Sequence, residues 1–131
     1  MKLKLTPYQL GAICDFLGHL YYDGFYPKND GEEMIRQIIA IILQKMIRRI
    51  GGKTGNITLK PFEALALYLF LKWDNLTYLP GLWQYEINTA NAIIAQIDQW
   101  KKDQRHQNSK LVNTRTGLET TRTPITLPGT K

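Results

Sequence analysis

From Ala64 to Leu71 the chain reads Ala-Leu-Ala-Leu-Tyr-Leu-Phe-Leu, with every residue apolar or aromatic. A helix that is apolar all round must be enclosed on every side, by protein or by lipid. Pro61 opens the segment and Trp73 closes it, a stretch of 13 residues. That is short of the roughly 20 residues a membrane crossing takes. The segment is therefore expected to be a central core helix, enclosed by other elements. A chain of 131 residues has the length of one domain, so those elements must come from the same small body.

Three further helices are legible. Thr6 can cap a helix that Pro7 begins, with Gln9 at the spacing of a capping box. Leu10, Ile13, Cys14, Leu17 and Tyr21 continue it at helical spacing, and Asp23-Gly24 ends it. A second helix starts near Asp30 and runs through Ile35, Ile38, Ile39, Ile42 and Met46 to Gly51-Gly52. Glu32 and Glu33 sit at its positive end, and Lys45, Arg48 and Arg49 crowd its negative end. The helix dipole alone accounts for those cations, with a dedicated binding patch as the alternative. Leu79-Pro80-Gly81 is a turn, and a fourth helix begins between Leu82 and Glu86 and ends near Gln104. Ala90, Ile93, Ile94, Ile97 and Trp100 form its stripe.

Two internal matches order these helices. Residues 5–17 (LTPYQLGAICDFL) match residues 59–71 (LKPFEALALYLFL) at an offset of 54. Residues 38–44 (IIAIILQ) match 93–99 (IIAQIDQ) at an offset of 55. Both set the first helix on the third and the second on the fourth. The fold class expected is all-α: a four-helix domain over residues 1–104, built as a duplicated helical hairpin. Lys60 stands where Thr6 caps the first copy, so the third helix should start less well.

Charge divides the chain differently. Residues 1–100 carry ten basic and nine acidic side chains, whereas 101–131 carry seven basic against Asp103 and Glu119. Residues 105–131 hold no aromatic residue, seven threonines, and Pro124 and Pro128. Such a segment buries too little to order itself alone, and an extended, basic, Thr-rich tail is expected there. Lys101, Lys102, Arg105, Lys110, Arg115 and Arg122 are spaced for sparse phosphate contacts. Without interleaved aromatics, base stacking is not supported. Leu111, Val112, Leu118, Ile125 and Leu127 are spaced as anchors for a protein partner.

Motifs of catalysis are weak. Gly51-Gly52-Lys53-Thr54-Gly55 ends like a phosphate loop, but Ile47 stands where the first glycine belongs, and a helix precedes it instead of a strand. Asp15 and His19 share a helix face without a third member, and read as an exposed acid–imidazole pair. Cys14 is the only cysteine, which excludes an intrachain disulfide and reads as a buried, inert thiol. No catalytic residue, metal or cofactor is assigned, and an enzyme is not expected. The N-terminus lacks the apolar stretch of a signal peptide, so an intracellular setting in the producing cell is expected.

The expectation is a non-enzymatic structural or interaction component of a large assembly. Ile38, Ile39, Ile41, Ile42 and Leu43 exceed what one core stripe needs, and such surplus suggests an oligomer or partner interface, with enclosure of the third helix as the alternative. A virion or phage particle is the expected setting by analogy alone, since small helical proteins with arms occur there. The partners would be protein subunits, in a homo- or hetero-oligomer. The alternative is a sequence-independent nucleic-acid-binding protein, or a ribonucleoprotein component, that uses the basic tail.

Overall fold

Thr6 starts the first helix as its chemistry requires: its hydroxyl accepts from the Gln9 amide at 3.0 Å, and the Gln9 side chain accepts from the Thr6 amide at 3.0 Å. The computed structural model describes residues 1–24, 26–72 and 84–118, with side chains over 1–22, 26–72 and 84–107. Helix α1 spans Pro7–His19 and passes into a π-helical turn, Leu20–Gly24. Helix α2 spans Asp30–Arg49, with Asn29 capping the Glu32 amide at 2.9 Å and three acidic residues in the first turn. Its end is closed by Gly51, whose φ of 90° is the left-handed conformation that favours glycine. Helix α3 spans Pro61–Leu71 and helix α4 spans Gln84–Leu118. The fold is all-α in class among the described residues, apart from one small two-stranded ribbon.

That ribbon is not among the sequence expectations. Strand β1 (Lys2–Leu3) pairs antiparallel with β2 (Ile57–Thr58), with Leu3 opposite Ile57 and Lys2 opposite Thr58. Backbone bonds extend it: the Met1 nitrogen donates to Leu59 O at 2.8 Å, Leu59 N to Met1 O at 2.7 Å, and Gly55 N to Leu5 O at 2.9 Å. Leu3, Leu5, Ile57 and Leu59 point inward, while Lys2, Lys4 and Thr58 face solvent. This is the period-2 alternation of a half-buried strand.

The ribbon bears directly on duplication. Leu3 and Ile57 are 54 residues apart, the same offset that matches α1 to α3. Each copy is thus a strand followed by a capped helix, and the two strands pair with each other. The bonds Met1 N to Leu59 O and Gly55 N to Leu5 O exchange under a two-fold rotation at the Leu3–Ile57 pair. Burial repeats as well: Leu5, Leu10, Ala12, Ile13, Phe16 and Leu17 are buried, as are Leu59, Ala64, Ala66, Leu67, Phe70 and Leu71. The second copy starts with half of the cap. Lys60 supplies no side-chain acceptor, but the Glu63 carboxylate accepts from the Lys60 amide at 2.8 Å.

The chain divides into a unit Met1–Asp98 and a second unit from Gln99 onward. The core of the first is formed by Phe16, Leu17, Ile39, Ile42, Met46, Leu67, Phe70, Ile93 and Ile97 with the inward side of the ribbon. Helix α2 packs chiefly on α3, and also on α1. Arg36 lies over the Tyr21 ring at 4.1 Å, tying α2 to the π-helical turn. No helix among the described residues is long and apolar enough to cross a membrane.

Two expectations need correction. Helix α3 is not enclosed on all sides: Phe62, Leu65 and Leu69 are 49%, 42% and 52% exposed. Helix α4 does not end near Gln104 but continues to Leu118, so the expected extended segment does not begin at residue 105. Lys, Arg, Gln and Leu are favourable helix formers, and no Pro or Gly occurs between Gln84 and Thr116. Sparse apolar content argues against a packed core, not against a helix that satisfies its own backbone. The turn expected at Leu79-Pro80-Gly81 and the segment 119–131 lie outside the described residues.

Candidate functional site

Two surfaces of the first unit combine residues that the core does not require. The first is the outward side of α3. Phe62, Leu65 and Leu69, at spacings of three and four, form one apolar stripe along a helix. Its ends carry the exposed cations Lys60 and Lys72. The matching positions of α1 are Tyr8, Gly11 and Asp15, which line a shallow cavity of about 460 Å³ with Tyr85 and Glu86. Tyr8 meets Tyr85 edge-on at 6.3 Å. The duplicated positions thus agree inside and differ outside: the same place in the fold tolerates a glycine and a carboxylate in one copy, yet is apolar in the other. The fold itself does not demand the stripe.

The second surface is a cleft where the C-terminal turns of α2 meet the ribbon. Lys2, Lys45, Arg48, Arg49, Thr54 and Asn56 line an open cavity of about 590 Å³. Lys45 is held by an ion pair: its Nζ lies 2.5 Å from Oε1 of Glu63, which is buried. Burial pushes the Glu63 carboxyl up, but the Lys45 ammonium and the Lys60 amide outweigh it and hold the group below its ordinary range. Lys45 also approaches Thr58 O at 3.5 Å. Arg48 donates to the neutral Gln44 side chain at 3.5 Å. Among the described residues, Lys2 and Arg49 face no carboxylate within ion-pair distance.

The sequence names three of these cations, Lys45, Arg48 and Arg49. Their neighbours Lys2, Thr54 and Asn56 were not foreseen, because they reach the cleft only through the ribbon. The alternation Lys2-Leu3-Lys4-Leu5 and Asn56-Ile57-Thr58-Leu59 is the signal that could have found them. Lys53 and the glycines of the apparent phosphate loop cap the end of α2 and turn the chain, and Lys53 itself is exposed.

The remaining candidates scatter. Lys101 is half-buried, and Lys102 and Arg105 are exposed on α4. Lys110, Leu111, Val112, Arg115 and Leu118 are helical positions of α4. Arg122, Ile125 and Leu127 lie outside the described residues. Asp15 is exposed and His19 half-buried on α1. Cys14 is buried, and burial first, with Asp15 beside it, pushes its thiol up to about 11. Such a thiol stays protonated at neutral pH and is a poor nucleophile. No group of three or more His, Cys, Asp or Glu among the described residues could hold a metal ion. Comparison with protein-family models, curated proteins and solved structures finds no match.

Proposed function

We propose that this chain is a non-enzymatic assembly protein that docks on a protein partner through the outward side of α3. The observation that carries the reading is the contrast between the copies: Phe62, Leu65 and Leu69 on α3 against Tyr8, Gly11 and Asp15 on α1. Exposed apolar side chains in a continuous stripe lose free energy in water unless something covers them. Since the fold accepts a glycine and a carboxylate where α3 carries Leu65 and Leu69, stability of the body does not explain those two leucines.

Charge favours a different protein over a second copy. Lys60 and Lys72 bracket the stripe, so a symmetric pairing of two α3 helices would bring lysines together in either direction. Like charges across an interface oppose association. The partner is an apolar ridge flanked by carboxylates, laid along α3 as one helix along another. Leu111 and Leu118 lie within α4, so a further anchor there would be a helix rather than an extended arm. A particle such as a virion is one setting for such a subunit, and the membership of that particle would be hetero-oligomeric.

Site-specific photo-crosslinking in the producing cell tests this. A photoreactive phenylalanine at position 65 should give a discrete adduct with another protein, whose crosslinked peptide is apolar and bears acidic residues. The same probe at position 15, the α1 counterpart of Leu69 on that stripe, should give none. Adducts at both positions, at neither, or only between copies of this chain would overturn the reading.

A further inference from the structure

We infer that the cleft between the end of α2 and the ribbon binds consecutive phosphates of a nucleic-acid backbone. The inference rests on other residues than the α3 surface and stands independently of it. Four cations converge there from two parts of the chain far apart in sequence: Lys2 from β1, and Lys45, Arg48 and Arg49 from α2. The helix dipole explains cations only in the last turn of a helix. It explains Arg48 and Arg49, and the ion pair with Glu63 accounts for Lys45, but Lys2 belongs to another element.

The ribbon register brings Lys2 into place. Lys2 stands opposite Thr58, whose carbonyl is approached by Lys45. Among the described residues, Lys45 alone of these cations has a carboxylate partner, Glu63 at the base. The rim therefore keeps Lys2, Arg48 and Arg49 as uncompensated positive charge, with the Thr54 and Asn56 side chains as neutral polar groups. Asn56 Oδ1 already accepts from the Leu5 amide at 3.1 Å, which leaves its NH2 group as a donor.

The chemistry of the lining narrows the ligand. Guanidinium groups match phosphate oxygens with paired donors. An open cleft lined by several cations suits a chain of phosphates more than one enclosed phosphate. Among the described residues no aromatic lines it, so none of them there stacks a base or a nucleoside. Recognition is then sequence-blind and carried by charge. This places phosphate contact in the helical body, whereas composition points to the C-terminal cations.

The test is fluorescence anisotropy of the full chain with a labelled DNA duplex of about 20 base pairs, titrated across a range of salt. About three phosphate contacts predict a log–log slope near −3. R48Q/R49Q should weaken binding about tenfold or more at low salt and make the slope shallower by about 2. R48K/R49K should recover most of the affinity, and K102Q/R105Q on α4 should stay within about twofold of the parent chain. Circular dichroism of each variant checks that its helices are intact. ATP and inorganic phosphate serve as competing probes, and either should displace the duplex only weakly. Absence of duplex binding at low salt, unchanged binding by R48Q/R49Q, or loss of binding by K102Q/R105Q alone would overturn the inference. So would tight binding of ATP or phosphate by a chain that ignores the duplex, since the ligand would then be a small phosphate compound.

Discussion

Leu3 lies opposite Ile57 in the ribbon, and the two are each other's counterparts in the repeat. When a residue pairs with its own counterpart, the rotation axis relating the two copies passes between them. The first copy's strand is thereby joined to the second copy's strand, with both side chains of the pair buried. The second internal match, between α2 and α4, follows the same order, but the burial patterns of those helices agree less closely. The symmetric part of the fold is the strand and the helix that follows it.

Close approach at the ribbon makes Gly55 irreplaceable. A Cβ added there would meet the Thr6 carbonyl and come within 2.9 Å of Leu10 Cβ. Gly55→Ala is expected to cost about 1–3 kcal/mol by overpacking, measured by chemical denaturation. The control change Gly11→Ala, with nothing within 4 Å of its Cβ, should instead stabilise α1 by about 0.5–1 kcal/mol.

The Lys45–Glu63 pair predicts a pH dependence with a definite sign. The folded-state carboxyl of Glu63 sits below its ordinary range, so its contribution is full above about pH 4.5. It is lost as pH falls through the folded value. Glu63→Gln should flatten the melting temperature against pH in that acidic window and cost about 1–2 kcal/mol at neutral pH, since Lys45 keeps partial access to solvent. An unchanged acid profile would contradict the pairing.

Cys14 should resist thiol reagents in the native chain. With its thiol pushed up to about 11 and its side chain buried, labelling at pH 8 should be slow, and become fast once denaturant unfolds α1. Rapid labelling of the native chain would show that this part of α1 opens readily.

Core and surface should separate cleanly on α1 and α3. Ala66→Glu places a carboxylate in the buried interior without a partner and should abolish cooperative melting. Asp15→Ala, at an exposed position, should stay within about 0.5 kcal/mol of the parent chain.

Much of the helical architecture is legible in the residues because caps are local chemistry. Thr6 with Gln9, and the Pro at the start of both α1 and α3, fix starts that the structure reproduces. The ribbon escaped notice because Met1–Leu5 and Gly55–Leu59 are short, and neither is a strand until it meets the other. Length misled at α4, where a weak apolar content was weighed above good helix formers. Enclosure misled at α3, where an all-apolar sequence implied burial on every side, and only comparison with α1 reveals a surface that the fold does not use. The cleft shows the same limit: Arg48 and Arg49 are visible as a pair, but Lys2 joins them only through pairing across more than 50 residues.

The central claim is that the outward side of α3 serves a partner and not the core, and one measurement bears on it most directly. Leu65→Gln and Leu69→Gln together, followed by thermal and urea unfolding, ask whether the isolated chain needs that stripe. The account predicts a cooperative transition within about 1 kcal/mol of the parent chain, with loss of the adduct from a photoreactive residue at position 62. A destabilisation above about 3 kcal/mol, in the range of a core truncation, would show that the stripe belongs to the interior and contradict the claim.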